Sequence, residues 1–328
     1  MTMRSTAIEE VTLPSPVRIG WVGAGVMSAP LCEHLLHAGY ALTIHSRTKA
    51  KADGLLQQGA QWVDATADII AEADVVFTMV GFPNDVREIY FGKEGLLANA
   101  RPGQVIVDLT TSEPGLALEI AERAKERQSF ALDAPVSGGD VGAKQGTLSI
   151  MVGGDLSVFE VLKPILGIFG KTLVHHGPSG CGQHAKLCNQ ITIAGTMIGV
   201  CEALLYAHQA GLDGENLLES IRQGAAGCWT LDHLAPKMLK RDFSPGFFVE
   251  HFIKDMGMAL AEANRMGLLL PGLAVVHKLY QAVQAQGHGR SGTHALLLAL
   301  ESMSPTHLST SSNPSSSSSP TVCSKKIF

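Results

Sequence analysis

The segment with the clearest fold signal is Val17-Arg18-Ile19-Gly20-Trp21-Val22-Gly23-Ala24-Gly25-Val26-Met27-Ser28. Its first half, 17–22, is mostly apolar, which is typical of a strand buried on both faces. The glycine-rich turn follows at once, and 30–38 then reads as a helix that ends at Gly39. A glycine-rich turn between a strand and a helix of one strand–helix–strand unit indicates a dinucleotide-binding site.

Each small residue of this turn has its own physical task. Gly23 permits the tight turn out of the strand, and Gly25 lets a pyrophosphate approach the backbone. The third position, here Ser28, must be small so that helix and strand pack closely, and the helix N-terminus then offers free N–H groups to the phosphates. The residues predicted to hold the cofactor in this turn are Gly23, Ala24, Gly25, Val26 and Met27.

The end of the second predicted strand indicates which cofactor is bound. A carboxylate there would bind the ribose 2′-OH of NAD, but this chain has His45-Ser46-Arg47-Thr48. The guanidinium group of Arg47 can pair with a 2′-phosphate, so we expect NADP(H) to be preferred and NAD(H) to be possible, with Ser46, Arg47 and Thr48 at the site. The alternative is that Arg47 is an ordinary solvated surface cation.

The rest of the chain predicts the fold class. Strand-like and helix-like segments alternate up to about Val174, with strands at 40–45, 75–80 and 105–109. This alternation predicts an α/β fold with a Rossmann-type, doubly wound parallel sheet. From 184 onward only helical segments are found, the first of them the long stretch 184–209.

These patterns divide the chain into four parts. The predicted parts are an N-terminal extension (1–16), an NADP-binding Rossmann domain (17–179), an all-α domain for substrate and oligomer contacts that begins with the long interdomain helix (180–303), and a disordered Ser-rich tail (304–328). In the all-α domain, further helical segments are expected near 216–223, 229–240, 249–266, 273–286 and 294–303.

Charge and composition exclude several classes of protein. With 25 Lys and Arg against 30 Asp and Glu, the net charge is −5, which argues against nucleic-acid binding through phosphate contacts. The apolar run 191–207 contains Glu202 and is too short for a membrane span, so it is interpreted as a buried helix. The first sixteen residues fit neither a signal nor a transit peptide, so we expect a cytoplasmic protein, with mitochondria as the alternative.

Two segments after the nucleotide site carry candidate chemistry. Ser137-Gly138-Gly139 offers a hydroxyl group and accessible amides that can hold a carboxylate, although an ordinary glycine-rich turn has the same composition. Lys186, Asn189 and Gln190 have the spacing i, i+3 and i+4, so they share one helix face. A buried lysine there would have a lowered pKa and could serve acid–base chemistry, or it could be a structural lysine at the domain junction.

A third segment contains Lys254 and Asp255 in adjacent positions. Adjacent helical residues are expected to point to different sides, so that one faces a site while the other orients it. The alternative for these two residues is a surface charge pair.

Together these segments resemble the β-hydroxyacid dehydrogenase family, most closely its 3-hydroxyisobutyrate dehydrogenase-like members, over nearly the whole range 17–303. The motifs that carry the resemblance are 23–27, Asp108-Leu109-Thr110-Thr111-Ser112, 133–139, 146–154, 186–190 and 254–255. Gly81 and Ser28 depart from the family's usual residues at their positions.

The resemblance implies a role for each matching residue. Lys186 matches the catalytic lysine, and Ser137, Gly138 and Gly139 match the loop that binds the substrate carboxylate. Asn189 and Gln190 match the polar substrate-binding positions. The orienting role expected of Asp255 follows instead from its position next to Lys254. The residues that match positions at the cofactor are Val80, Thr111 and Lys254.

The implied function is hydride transfer between NAD(P) and a small carboxylated alcohol or aldehyde, with Lys186 as general acid and base. A glyoxylate or succinic semialdehyde reductase is the nearest alternative. An imine reductase usually lacks the lysine, and a phosphogluconate enzyme needs a larger helical domain. From another class, the alternative is an inactive NADP-binding module. The apolar long helix also suggests a homodimer or homotetramer.

Overall fold

The protein is described by a computed structural model over residues 12–304 and Leu308. Within this part of the chain a single sheet forms from nine strands. The strands are β1 (Arg18–Val22), β2 (Ala41–His45), β3 (Gln61–Trp62), β4 (Val75–Thr78), β5 (Val105–Asp108), β6 (Phe130–Asp133), β7 (Val136–Ser137), β8 (Leu148–Gly153) and β9 (Gly170–Gly177).

Helices cover both faces of the sheet and then form a separate helical layer. The helices between strands are α1 (Ser28–His37), α2 (Asp53–Gln57), α3 (Thr66–Glu72), α4 (Pro83–Phe91), α5 (Leu96–Asn99), α6 (Pro114–Glu126), α7 (Gly139–Gln145) and α8 (Leu156–Leu166). Those after the sheet are α9 (Cys181–Gln209), α10 (Gly214–Ile221), α11 (Trp229–His233), α12 (Ala235–Leu239), α13 (Val249–Arg265), α14 (Pro271–Val283) and α15 (Leu296–Ser302).

The strand order is β3-β2-β1-β4-β5-β6-β8-β7, with β9 beside β8. Strands β1 to β6 are parallel and have the order of a Rossmann sheet, so the predicted fold class is confirmed. Strand β8 departs from the predicted parallel direction, because it runs antiparallel to β6 and β7. The reason is local: β7 and β8 pair as neighbouring antiparallel strands, which returns the chain in the opposite direction.

The burial of β1 explains why residues 17–22, the first half of the motif, are mostly apolar. Trp21 of β1 is completely buried, and its ring lies 5.4 Å from Phe77 and 6.4 Å from Phe169. This cluster is part of the core on one face of the sheet, and α3, α5 and α6 cover the other face. The helical domain has its own core, built around α9, α13 and α14.

Three expectations about the helical part require correction. Helix α9 begins at Cys181, three residues earlier than predicted, because Asp133 accepts hydrogen bonds from backbone amides at the helix start. The segment predicted as 229–240 is two short helices, with Pro236 in the first turn of the second. Leu308, in the predicted tail, is buried against the helical core, and its N–H donates to Glu301. The remaining residues of the predicted tail beyond 304, and residues 1–11, lie outside the described part of the chain.

Candidate active site

The glycine-rich turn leaves β1 at the carboxyl edge of the sheet. Gly23 has φ +110°, and a Cβ there would lie 2.2 Å from the carbonyl oxygen of Met79, so this position requires glycine. A Cβ at Gly25 would meet no atom within 4 Å, which means that the turn is open on that side. Ser28 is buried and its hydroxyl donates to the same Met79 carbonyl at 3.3 Å, so serine fits the close contact between helix and strand. The turn therefore has the shape of a pyrophosphate cradle at the N-terminus of α1.

Arg47 lies directly beyond the end of β2. Its side chain is 90% exposed, and its guanidinium group lies 3.6 Å from Asp85 at the start of α4. Ser46 beside it is half-buried, and Thr48 is exposed. The three predicted residues are thus accessible to a ligand at the edge of the sheet.

Lys254 joins the two loops that follow β4 and β5. Its Nζ atom donates to the carbonyl oxygen of Thr111 at 2.7 Å and to that of Gly81 at 3.2 Å. The loops also contact each other directly, because the N–H of Val80 donates to the hydroxyl of Thr110 at 3.0 Å. The predicted cofactor residues Val80, Thr111 and Lys254 therefore come together at one place.

His251 explains how glycine is accommodated at 81. A Cβ added at Gly81 would lie 3.2 Å from Cε1 of His251, and the imidazole also packs against the Phe82 ring at 5.0 Å. Burial and the nearby Lys254 lower the pKa of His251. The imidazole thus takes part of the space that a larger residue at 81 would need.

A chain of hydrogen bonds leads from the predicted carboxylate loop to α13. The Ser137 hydroxyl donates to Oδ1 of Asn189 at 3.2 Å, and Nδ2 of Asn189 donates to Oε1 of Gln190 at 2.8 Å. Nε2 of Gln190 then donates to Oδ2 of Asp255 at 2.6 Å. Since a carboxylate can only accept, Asp255 fixes the direction of every bond in this chain, so Gln190 orients Asn189.

The sequence predicts that Lys254 and Asp255 point to different sides of the helix. In the structure, their charged groups meet instead. The Nζ atom of Lys254 lies 3.0 Å from Oδ1 of Asp255, because the long lysine side chain brings its ammonium group back to its neighbour. Their side chains are 13% and 1% exposed, so Asp255 is buried, Lys254 is largely buried, and the two do not form a surface charge pair. Oδ1 accepts no hydrogen bond within the described residues, so the contact is an ion pair without hydrogen-bond geometry.

Lys186 lies on α9, on the same face as this chain of hydrogen bonds. It is only 7% exposed. Burial lowers the pKa of Lys186 to about 8, while Asp255 opposes that shift and Lys254 reinforces it. An amine with this pKa can both donate and accept a proton near neutral pH.

Gly138 links Ser137 to helix α7, which begins at Gly139. Both glycines have positive φ, +133° and +63°, and Gly138 is exposed. The loop therefore turns with its backbone accessible, next to the Ser137 hydroxyl that contacts Asn189.

Two buried carboxylates at neighbouring strand ends were not predicted as functional residues. Asp133 accepts from the amides of Gly180 and Gln183, both at 2.8 Å, and so holds the start of α9. Asp108 accepts from the Thr78 hydroxyl at 2.9 Å and the Thr110 amide at 3.0 Å. Burial raises the pKa of Asp108 to about 6. The available signal was an aspartate directly after an apolar strand.

Two family models together match most of the chain. The one over residues 18–177 is described as the NAD binding domain of 6-phosphogluconate dehydrogenase. The one over residues 180–300 is described as NAD-binding of NADP-dependent 3-hydroxyisobutyrate dehydrogenase.

The chain matches individual relatives over nearly their whole length. The chain is 51% identical to a probable 3-hydroxyisobutyrate dehydrogenase-like 1, mitochondrial, of Arabidopsis thaliana, over 90% of this chain and 89% of that protein. It is 37% identical to the 2-hydroxy-3-oxopropionate reductase of Escherichia coli, over 88% and 98%. Among solved structures, a Mycobacterium tuberculosis 3-hydroxyisobutyrate dehydrogenase with L-serine is 31% identical, with a TM-score of 0.79, over 87% and 99%.

Proposed function

The chain belongs to the β-hydroxyacid dehydrogenase family, and we propose that it interconverts a small aldehyde acid and its hydroxy acid with Lys186 as the proton donor and acceptor. The enzyme is an oxidoreductase that acts on hydroxyl groups and uses a nicotinamide cofactor. The observation that carries the proposed role of Lys186 is its burial beside the polar chain from Ser137 to Asp255.

The residues at the edge of the sheet fit a dinucleotide. The open side of Gly25 and the tight turn at Gly23 leave room for a pyrophosphate at the start of α1. Lys254 would hold the loops 80–82 and 110–112 against the nicotinamide end. When bound, the cofactor supplies a hydride in reduction and accepts one in oxidation.

Lys186 then moves the proton that balances the reaction. In reduction the protonated amine donates to the oxygen that gains negative charge, and in oxidation the neutral amine accepts the hydroxyl proton. A pKa of about 8 leaves most of the lysine protonated at pH 7 but keeps the neutral form accessible. We propose that Asn189, which Gln190 orients, holds the same oxygen or its neighbour.

The substrate class follows from the loop at 137–139. The backbone of the exposed Gly138 and the half-buried Gly139, next to the hydroxyl of Ser137, suits a carboxylate. The E. coli relative is named for reduction of 2-hydroxy-3-oxopropionate, which is an aldehyde acid, and this supports the same chemistry here. Glyoxylate and succinic semialdehyde carry the same two groups.

We also propose that NADP(H) is preferred over NAD(H). The exposed guanidinium of Arg47 at the end of β2, without a carboxylate in 45–48, supports this preference. The description of the second family model as NADP-dependent agrees with it.

We further propose that the exposed part of α9 contacts a second copy of the chain in a homodimer or homotetramer. By length and composition α9 could cross a membrane, with a mean hydropathy of 1.4 in an 18-residue window of which 33% is buried. The polar Gln183, Lys186 and Gln190 on its buried face, however, support a helix of the enzyme core. Sedimentation of the purified chain at micromolar concentration would show a single monomer mass if this proposal is wrong.

For location we keep the cytoplasm, with mitochondria as the alternative that the name of the Arabidopsis relative suggests. A fluorescent fusion to the C-terminus of the full chain distinguishes the two compartments.

A substrate panel tests the proposed function. Oxidation of NADPH and NADH is followed with glyoxylate, succinic semialdehyde and 2-hydroxy-3-oxopropionate, and the reverse reaction with 3-hydroxyisobutyrate and L-serine. We expect turnover of at least one acid, faster with NADPH, and loss of that turnover when the carboxylate is replaced by an amide. Turnover that does not depend on the carboxylate would contradict the assigned role of 137–139.

A further inference from the structure

We propose that Gln183 is a positioning residue for the reaction. Its buried side-chain amide fixes the helix that carries Lys186 against the loop 110–112, which contains the predicted cofactor residue Thr111. This inference rests on the proposed role of Lys186. None of the motifs in the sequence points to Gln183.

Both polar atoms of the Gln183 side-chain amide are hydrogen-bonded, and the residue is completely buried. Its Oε1 atom accepts from the backbone N–H of Ser112 at 2.9 Å, and its Nε2 atom donates to the backbone carbonyl of Thr110 at 2.8 Å. The side chain is 0% exposed. It therefore bonds the backbone groups on either side of Thr111, with the same donor and acceptor pattern that a neighbouring β-strand would offer.

The backbone of Gln183 is held just as firmly as its side chain. Its N–H donates to Asp133 at 2.8 Å, and Asp133 also accepts from Gly180. A Cβ at Gly182 would lie 2.4 Å from the carbonyl oxygen of Met151 and 2.6 Å from that of Asp133, so the helix start packs directly on the sheet edge. The first turn of α9 is thus anchored to β6 and β8.

The loop at the other end of the amide is also held on each side. The Thr110 amide donates to Asp108, and the Thr111 carbonyl accepts from Lys254 of α13. Among the described residues, Gln183 is the side chain of α9 that forms hydrogen bonds with this loop. Lys186 follows Gln183 by three residues, so the two side chains lie on one helix face.

Through these contacts Gln183 sets the distance between the loop 110–112 and the helix that carries Lys186. Without the amide, a buried N–H and a buried carbonyl would lose their partners, and loop and helix would separate to admit water. A displacement of about 1 Å between reacting groups can reduce turnover about 100-fold. The anchor of the cofactor at 23–27 would remain, because it lies on a different loop.

The polarity of the two bonds provides a specific test. The side chain must accept at one atom and donate at the other, which glutamine does and methionine does not. A glutamate does the same only when it is protonated, because an ionised carboxylate would face the Thr110 carbonyl. Burial near Asp133 and Asp108 favours the protonated form of such a glutamate.

The experiment compares Gln183→Met and Gln183→Glu with the wild type and with Gln57→Met, a change of an exposed glutamine. The full chain is assayed with NADPH and whichever of glyoxylate, succinic semialdehyde and 2-hydroxy-3-oxopropionate is reduced fastest. We expect Gln183→Met to lower kcat by roughly 10- to 100-fold, to change the Kd for NADPH less than about 3-fold, and to raise the isotope effect with 4-deuterated NADPH.

For Gln183→Glu we expect the kcat relative to wild type to be at least about 5-fold higher at pH 6 than at pH 8, since neutral glutamate restores both bonds. If Gln183→Met fails to fold, the rescue of Gln183→Glu at pH 6 is by itself the test of the inference. The inference is overturned if both variants retain kcat within 2-fold of wild type. It is equally overturned if kcat and NADPH binding fall together with no rescue at pH 6.

A Lys186→Met variant separates this inference from the function on which it depends. If Lys186→Met keeps its activity, the proposed function fails. If Lys186→Met is inactive while the Gln183 variants behave as wild type, only the role of Gln183 fails.

Discussion

The Nζ atom of Lys254 lies 3.0 Å from the Oδ1 atom of its neighbour Asp255 in a buried ion pair. The two charges act on the pKa of Lys186 in opposite directions, since Asp255 raises it and Lys254 lowers it. Burial, the larger cause, brings that pKa down to about 8. Asp255 thus limits how far the pKa of the proposed catalytic lysine falls, and Lys254 acts against it.

Replacing Asp255 by Asn tests this effect. The amide oxygen can still accept from Gln190, but the negative charge that favours protonated Lys186 is gone. The pKa of Lys186 should fall further, so the decline of the reductive kcat at high pH should begin at a lower pH than in the wild type. Glu250→Gln, on the same helix, is the matched control and should leave the profile unchanged. An unchanged or higher midpoint in Asp255→Asn would contradict this account.

Replacing Arg47 by Asp tests the cofactor preference. Loss of a charged pair with the 2′-phosphate and introduction of a repulsive carboxylate should raise the KM for NADPH at least about tenfold, whereas the KM for NADH should change little or fall. Steady-state kinetics with both cofactors measure the two values. Lys51→Asp, which makes the same charge change at an exposed position nearby, serves as control. Equal effects on NADPH and NADH would refute the role of Arg47.

Asp108 provides a prediction about stability. Its pKa is 3.8 in an unfolded chain and about 6 in the fold, where burial disfavours the charge. The folded state therefore binds the proton more tightly, and this group removes stability as pH rises from about 4 to 6, by about 3 kcal/mol at most. Asp108→Asn keeps an acceptor for Thr78 and Thr110 but has no charge to bury.

We expect the free energy of unfolding of Asp108→Asn, relative to wild type, to be higher at pH 7.5 than at pH 4.5 by roughly 1–3 kcal/mol. Urea denaturation at the two pH values measures this difference, and taking it against the wild type cancels the other titrating groups. A difference that is the same at both pH values would show that Asp108 does not titrate as proposed.

The sequence predicts those parts of the site whose residues lie close together in the chain and follow one periodic pattern. The strand, turn and helix around Gly23 and Gly25 follow from the spacing of small and apolar residues, and the helical spacing places Lys186, Asn189 and Gln190 on one face. In the structure this face carries the bonds from Ser137 to Asp255. Local periodicity thus determines which side chains can act together.

Contacts between distant segments could not be predicted in this way. Gln183 bonds residues more than 70 positions earlier in the chain, and Asp133 holds amides about 50 positions later. The pairing of Lys254 with Asp255 was predicted wrongly because backbone spacing ignores the reach of a flexible lysine. The reversal at β8 depends on strand pairing and gives no signal in the hydrophobic pattern.

In the proposed reaction a single buried amine, that of Lys186, carries the proton in both directions. The direct measurement is the pH dependence of kcat for reduction and for oxidation of one substrate pair, in the wild type and in Lys186→Met. We predict that reduction declines and oxidation rises around pH 8, and that Lys186→Met loses both dependences along with at least about 100-fold in kcat, while it still binds NADPH. Retention of either pH dependence, or of near-normal turnover, in Lys186→Met would contradict the proposed role of Lys186.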